Sequence, residues 1–125
     1  MIYTNPLIYI EIHDSEIPWL KIFTHKKCKE FSECSRDERL MVMECLDVIE
    51  KEMIAYFKPE KINIASFGNM LPRVHWHIMG RFLNDSYFPE PMWGVKQREG
   101  YAKVAPMEPF IENLKAVLAS RLVTI

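Results

Sequence analysis

The segment RVHWHIMGRF at residues 73–82 alternates polar and apolar side chains, which predicts a β-strand with one buried face. Because neighbouring side chains of a strand point to opposite faces, Val74, Trp76 and Ile78 are predicted to pack against the core. The other face collects two histidines, two arginines and a methionine: Arg73, His75, His77, Met79 and Arg81. Guanidinium groups match the oxygen geometry of phosphate, so this face indicates a binding site for an anion.

Three interpretations of the His75 and His77 pair are open at this point. The first is a pair of polar residues on a solvated strand face. The second is a metal site, but zinc normally requires a third protein ligand, and nothing fixes the position of the candidates His13, Asp14 and His25. The third is chemistry at phosphorus, since one imidazole can attack phosphate while another imidazole and a guanidinium hold its oxygens.

Further strands and helices are predicted on both sides of this segment. Strands are expected at residues 7–13, 17–24 and 61–67. A long helix is expected to begin after Ser35, which forms a capping box with Glu38, and to end before Pro59. A second helix is expected over residues 108–122. Short connections between strands favour an antiparallel sheet, so the predicted fold class is α+β, with one long helix packed on the sheet and a C-terminal helix.

Composition narrows the classes of partner and the cellular setting. The chain has 125 residues, and residues 1–125 are expected to form a single domain. Its 16 basic and 17 acidic residues leave a net charge of −1, which argues against nucleic acid or an anionic membrane as a partner. No apolar run approaches the ~20 residues that span a bilayer, and no signal peptide is visible. Three cysteines without paired spacing favour neither disulfides nor a cysteine zinc site, and we expect a cytoplasmic setting.

Residues 63–79, NIASFGNMLPRVHWHIM, resemble the signature of the histidine triad (HIT) superfamily, His-φ-His-φ-His-φ-φ with φ hydrophobic. Two further stretches resemble one bacterial branch of this family, which is similar to diadenosine tetraphosphate hydrolases. They are Asp14 with residues 18–20, and residues 88–94 after the motif. The resemblance implies an antiparallel sheet with a long helix, in a homodimer that builds one larger sheet. It also implies hydrolysis or transfer at the α-phosphate of a nucleotide conjugate, either a dinucleoside polyphosphate or a nucleoside phosphoramidate.

The same resemblance implies roles for individual residues. His75 would form a covalent nucleotidyl intermediate that water then hydrolyses, and His77 would bind phosphate oxygens. Asn63 corresponds to a family asparagine near the ribose or phosphate, and Asn69 to a polar residue that contacts phosphate. The scheme requires no metal or other cofactor for bond cleavage, although magnesium can accompany the nucleotide substrate.

Two positions depart from the family pattern. Arg73 replaces the first histidine of the triad, and Trp19 lies where many relatives have a fourth histidine. Arginine stays protonated, so Arg73 can bind phosphate but cannot act as a general acid or base in the way a histidine does. The alternative function is therefore a nucleotide- or phosphate-binding module without catalysis. Trp93, in a proline-rich loop, is expected either to stack on the nucleotide or to pack the loop itself.

Overall fold

A five-stranded antiparallel sheet carries the residues singled out above. The computed structural model of the protein describes residues 1–100 and 104–122. The strands are β1 (Tyr3–Thr4), β2 (Ile8–Ile12), β3 (Trp19–Thr24), β4 (Lys61–Ala65) and β5 (His75–Arg81). The helices are α1 (Arg36–Phe57) and α2 (Met107–Arg121), with a 3-10 turn at Phe31–Glu33. The strand order β1-β2-β3-β5-β4 places β5 between β3 and β4, and the predicted α+β class is confirmed.

The core lies on one face of the sheet. Helix α1 packs on that face and α2 packs against α1. The sheet contributes alternate apolar residues of β2, β3 and β5 to this core: Ile8, Ile10, Leu20, Ile22, Trp76 and Ile78. The face of β5 that was predicted to be buried therefore points towards α1. His75 and His77 lie on the opposite face, which neither helix covers.

Helix α1 begins and ends where the sequence signals predict. The Ser35 hydroxyl accepts a hydrogen bond from the Glu38 N–H at 3.1 Å, and the Glu38 carboxylate accepts one from the Ser35 N–H at 2.6 Å. The helix ends at Phe57 because Lys58 adopts a left-handed φ of 50° and Pro59 follows. This ending returns the chain to β4, beside β5. Neither α1 nor α2 is long and apolar enough to cross a membrane.

The predicted strands are longer than the observed ones by one or two residues at their ends. Strand β5 begins at His75 rather than at residue 73 because the Arg73 N–H donates to the Leu71 carbonyl in a turn, at 2.7 Å. Strand β1 was not predicted, since two residues are too few to show an alternating pattern. The second helix begins at Met107, one residue earlier than expected.

Candidate active site

His75 and His77 line a cavity on the face of the sheet opposite α1. Their ring centroids are 5.0 Å apart, and each residue is 8% exposed. The cavity has a volume of about 440 Å³. Its polar lining comprises His13, Lys21, Asn69, His75 and His77, and its apolar lining comprises Phe23, Phe67, Met70, Leu71 and Trp93. The cavity thus combines nitrogen donors with a large apolar surface.

The hydrogen bonding of His75 leaves one ring nitrogen free to act as a nucleophile. Its Nδ1 lies 3.0 Å from the backbone carbonyl oxygen of Arg73. A carbonyl can only accept a hydrogen bond, so in the neutral ring the proton sits on Nδ1. Nε2 then carries the unshared electron pair. The Phe23 ring stacks on the His75 ring with centroids 5.2 Å apart, which holds the imidazole plane in place.

His77 has the opposite arrangement. Its Nδ1 accepts a hydrogen bond from the indole Nε1–H of Trp19 at 3.0 Å, a contact buried between β3 and β5. An indole N–H can only donate, so the ring proton of neutral His77 sits on Nε2. Burial, followed by the neighbouring charges of His75, Lys21 and His13, lowers the pKa of His77 to about 4. At neutral pH His77 is therefore an uncharged N–H donor, with its ring centroid 5.0 Å from that of His75.

The structure brings together four of the six residues singled out by the sequence. Asn69 and Trp93 line the same cavity as His75 and His77. Asn63 instead lines an adjoining cavity of about 330 Å³, which shares Phe67 and Trp93 as its wall. The Asn63 side-chain oxygen already accepts a hydrogen bond from Arg81 Nη1 at 2.9 Å.

Arg73 lies on the histidine face of the sheet but outside the lining of the histidine cavity. Its guanidinium carbon is 5.3 Å from the ring centroid of Phe23 and 5.9 Å from that of Tyr9. Its Nη2 donates to the backbone carbonyl of Thr24. Among residues 1–100 and 104–122, no group accepts a hydrogen bond from its buried Nε. Arg73 thus packs against Phe23, and Phe23 in turn stacks on His75.

Arg81 does not form part of an anion site, although the alternation places it on the histidine face. It is 1% exposed, and its guanidinium binds both carboxylate oxygens of Asp85, at 2.9 and 3.1 Å. Arg81 Nη2 also donates to the Glu90 carbonyl at 2.7 Å. Burial alone would raise the pKa of Asp85, but hydrogen bonds from Arg81 and from three backbone N–H groups outweigh it and lower the pKa. This pair fixes the loop that carries Trp93.

Trp93 closes one side of the histidine cavity. Its ring centroid is 4.8 Å from that of His77 and 4.7 Å from that of Phe67. The side chain remains 47% exposed, so one surface of the indole is open to a ligand. The two expectations for Trp93, loop packing and a stacking surface, are therefore compatible with each other.

Lys21 and His13 also line the cavity; Lys21 was not singled out from the sequence, and His13 was named there only as a candidate metal ligand. Lys21 pairs with His77 in the register of β3 and β5, and the His13 ring lies 4.1 Å from that of Trp19. The alternation of Trp19, Lys21 and Phe23 in the sequence predicts a shared face. It does not predict which strand lies beside that face, so nothing local connects Lys21 to His77.

The histidine pair has no third metal ligand close by in the described part of the chain. Within residues 1–100 and 104–122, the group of three ligand atoms lying within 4.8 Å of one another is Cys28, Cys34 and Glu38. These residues are buried, and Cys28 and Cys34 belong to the core that packs against α1, on the face of the sheet opposite the histidines. Glu38 already caps α1. The cysteines are free thiols, and burial, followed by a hydrogen bond from the Cys34 thiol to Cys28, raises the pKa of Cys34 to about 11.

Solved structures share this fold over nearly the whole chain. A histidine triad protein from Bradyrhizobium japonicum is 24% identical, with a TM-score of 0.72, and the match covers 98% of this chain and 89% of that one. A histidine triad protein from Sinorhizobium meliloti is 24% identical, with a TM-score of 0.71, and the match covers 97% of this chain and 87% of that one. A hypothetical histidine triad nucleotide-binding protein from Sulfolobus tokodaii is 11% identical, with a TM-score of 0.55 and coverage of 96% and 80%.

Sequence comparison assigns the family independently of these structures. A search of curated proteins finds no match to the chain. The model of the HIT domain, however, matches residues 1–84, which span the whole sheet and the two histidines. This is more than half of the sequence. The chain therefore belongs to the HIT domain family.

Proposed function

We propose that this protein is a nucleotide hydrolase or transferase that acts at the α-phosphate of a nucleotide conjugate, with His75 as the nucleophile. Members of the HIT family are usually nucleotide hydrolases or transferases. The observation that carries the proposal is the opposed tautomers of the two histidines. His75 presents a free electron pair because Nδ1 faces a carbonyl, and His77 presents an N–H because its Nδ1 faces an indole.

The proposed reaction has two steps. His75 Nε2 attacks the α-phosphorus, the bond to the leaving group breaks, and its electron pair departs with that group. The carbonyl of Arg73 stabilises the positive charge that develops on the imidazole, since it accepts the Nδ1 proton. His77 Nε2–H donates to a non-bridging oxygen. Water then attacks the phosphorus, the phosphorus–nitrogen bond breaks with its electron pair returning to His75 Nε2, and the proton of the water passes to solvent as the nucleoside monophosphate is released.

The apolar side of the cavity is suited to a nucleoside. Met70, Phe67 and Leu71 are 99%, 55% and 49% exposed and lie on one wall of the cavity, and a contiguous exposed apolar patch of this kind is typical of a ligand or partner site. Together with Trp93 they offer a flat apolar surface for a base. Asn69 lies in the same cavity, in agreement with its proposed contact with phosphate. The Arg81 bond engages only the Asn63 side-chain oxygen, so the Asn63 amide nitrogen can still donate to a ligand in the adjoining cavity.

The proposal extends to the branch of the family, the role of metal, the partners and the cellular setting. We place the protein with the branch similar to diadenosine tetraphosphate hydrolases, acting without a metal in bond cleavage and with magnesium, if present, on the substrate. The proposed partners are a small nucleotide and a second copy of the chain, with neither nucleic acid nor a membrane. A cytoplasmic setting is part of this proposal.

The test is release of AMP by the wild type and by His75→Ala. Diadenosine tetraphosphate, ADP and adenosine 5′-phosphoramidate would each be incubated with EDTA and with magnesium, and the products separated by chromatography. Loss of the nucleophile should lower kcat by about 10⁴-fold or more, as for other nucleophile deletions. A His25→Ala variant, changed at an exposed histidine outside the cavity, is the control and should match the wild type. Equal rates in His75→Ala and the wild type would contradict the proposal.

A binding module without turnover is the second candidate, and Arg73 favours it. Arg73 replaces a family histidine, donates to the Thr24 carbonyl, and cannot release a proton to a leaving group. This candidate predicts that AMP raises the melting temperature while no substrate yields product after long incubation. Product formation that depends on His75 would rule it out.

A further inference from the structure

Lys21 lies directly beside His77 in the sheet. It pairs with His77 in the β3–β5 register, two residues from Phe23, which pairs with His75. Its side chain is half-buried and lines the histidine cavity. A lysine in this position puts a positive charge next to the proposed phosphate site.

Lys21 forms no ion pair within the described part of the chain, and its ammonium nitrogen lies over the Phe23 ring, 5.8 Å from the centroid. Among residues 1–100 and 104–122, no carboxylate lies within 4.0 Å of its ammonium group. Glu11 pairs with Lys21 in the β2–β3 register, but the two form no ion pair. Burial and the Lys21 charge lower the pKa of His13, and Lys21 also contributes, after burial and His75, to the lowered pKa of His77. The positive potential of Lys21 therefore reaches the groups that line this end of the cavity.

The lining of the cavity is divided between two kinds of side chain. Phe67, Met70 and Leu71, from the loop between β4 and β5, offer the apolar surface that suits a nucleoside. His13 and Lys21 come from β3 and the segment before it. With the base on the loop side and the phosphorus at His75, the leaving group would extend along β3, past His77 to Lys21.

The chemistry of the first step also separates two kinds of leaving group. A phosphate or polyphosphate leaves as an anion and needs no proton. An amine needs a proton as the phosphorus–nitrogen bond breaks, and Arg73, in place of the first triad histidine, does not supply one. A cation at the leaving-group end stabilises the negative charge of the first kind of leaving group, whereas a neutral amine gains no such electrostatic stabilisation.

We propose that Lys21 selects nucleotide conjugates whose leaving group is an anionic phosphate or polyphosphate over those that release a neutral amine. This role of Lys21 rests on the proposed function and specifies the class of substrate for the proposed reaction. The phosphorus–oxygen bond to the leaving phosphate breaks as His75 Nε2 bonds to the α-phosphorus. The electron pair goes to the departing oxygen, whose charge the Lys21 ammonium stabilises through a charge-assisted hydrogen bond.

The test compares two substrates that differ only in the leaving group, ADP and adenosine 5′-phosphoramidate. The ratio of kcat/KM for ADP to that for the phosphoramidate should exceed one in the wild type. Lys21→Met should lower this ratio by about 10- to 100-fold, the range expected for one hydrogen bond to a charged group. Lys21→Arg keeps the charge and should retain most of the preference. Lys51→Met, which removes an exposed lysine from α1, controls for net charge and should keep the wild-type ratio.

A binding measurement separates failure of this inference from failure of the proposed function. In a His75→Ala background, calorimetry would give the ratio of AMP to ADP dissociation constants with and without Lys21→Met. The added substitution should reduce the preference for ADP. A wild type that prefers the phosphoramidate, or a Lys21→Met variant with unchanged kcat/KM and binding ratios, would overturn the role of Lys21. No turnover of any substrate, with ADP binding that still depends on Lys21, would instead overturn the proposed catalysis alone.

Discussion

The hydrogen bond from Trp19 to His77 determines which nitrogen of His77 carries the proton. Trp19→Phe removes the donor while keeping an aromatic ring between His13 and Trp93. We expect His77 to change from one tautomer to a mixture and kcat/KM to fall by about fivefold to tenfold, the effect of one neutral hydrogen bond. Long-range ¹H–¹⁵N spectra distinguish the tautomers directly.

His75 serves as the internal control for the Trp19→Phe variant. Its Nδ1 faces the Arg73 carbonyl, which the substitution does not touch, so its Nδ1–H tautomer should persist. A His77 that keeps a single Nε2–H tautomer in the variant would show that Trp19 does not orient it.

At the scale of elements, the loop after β5 is held by the buried pair of Arg81 and Asp85. Asp85 also accepts hydrogen bonds from the backbone N–H groups of Phe82, Tyr87 and Phe88, at 2.8 to 3.0 Å. Asp85→Asn should lower the free energy of unfolding by about 3–5 kcal/mol, because the Arg81 guanidinium is left buried without its counter-charge. Urea unfolding measures the change.

The matched control for Asp85→Asn is Asp47→Asn. Asp47 also forms an i,i+4 ion pair, with Lys51, but both side chains are more than half exposed, at 52% and 64%. Loss of an exposed pair should change the free energy of unfolding by less than about 1 kcal/mol. Similar losses in the two variants would mean that burial does not determine the contribution of the Arg81–Asp85 pair.

At the scale of the whole molecule, one edge of the sheet has the features of an interface between copies of the chain. Within the described residues, β4 pairs only with β5. Ile64 on β4 is 47% exposed and Ile54 on α1 is 49% exposed. An edge strand has one side of its backbone unpaired, so it can pair with a second copy of the chain and extend the sheet. We therefore expect a homodimer joined at β4.

Light scattering at tens of micromolar protein should give twice the monomer mass. Ile64→Lys should shift the measured mass towards that of the monomer, because a lysine at the edge of the sheet disfavours pairing between strands. Leu83→Lys, at a site that is 63% exposed after β5, tests for an effect of adding charge alone and should leave the dimer intact. A wild type that stays monomeric, or an Ile64→Lys variant that stays dimeric, contradicts the β4 interface.

Local patterns in the sequence were enough to predict most of the fold. Alternation along residues 73–82 correctly separated Trp76 and Ile78, which enter the core, from His75 and His77. The capping box and Pro59 placed both ends of α1. Each of these signals arises from residues that are close in sequence, so a short stretch of sequence is enough to reveal it. The roles of His75, His77, Asn63, Asn69, Arg73 and Trp93 in binding or catalysis stay predictions until the variants are measured.

The sequence by itself determined the family, both helices, the four longer strands and the face of β5 that carries the histidines. The tertiary structure alone decided which tautomer His77 adopts and that Lys21 lies beside His77. Trp19 and His77 are 58 residues apart, and their hydrogen bond exists only in one register of β3 against β5. That register is set by the packing of the whole sheet on α1, because a slip of one residue would turn the core residues of β5 to the opposite face.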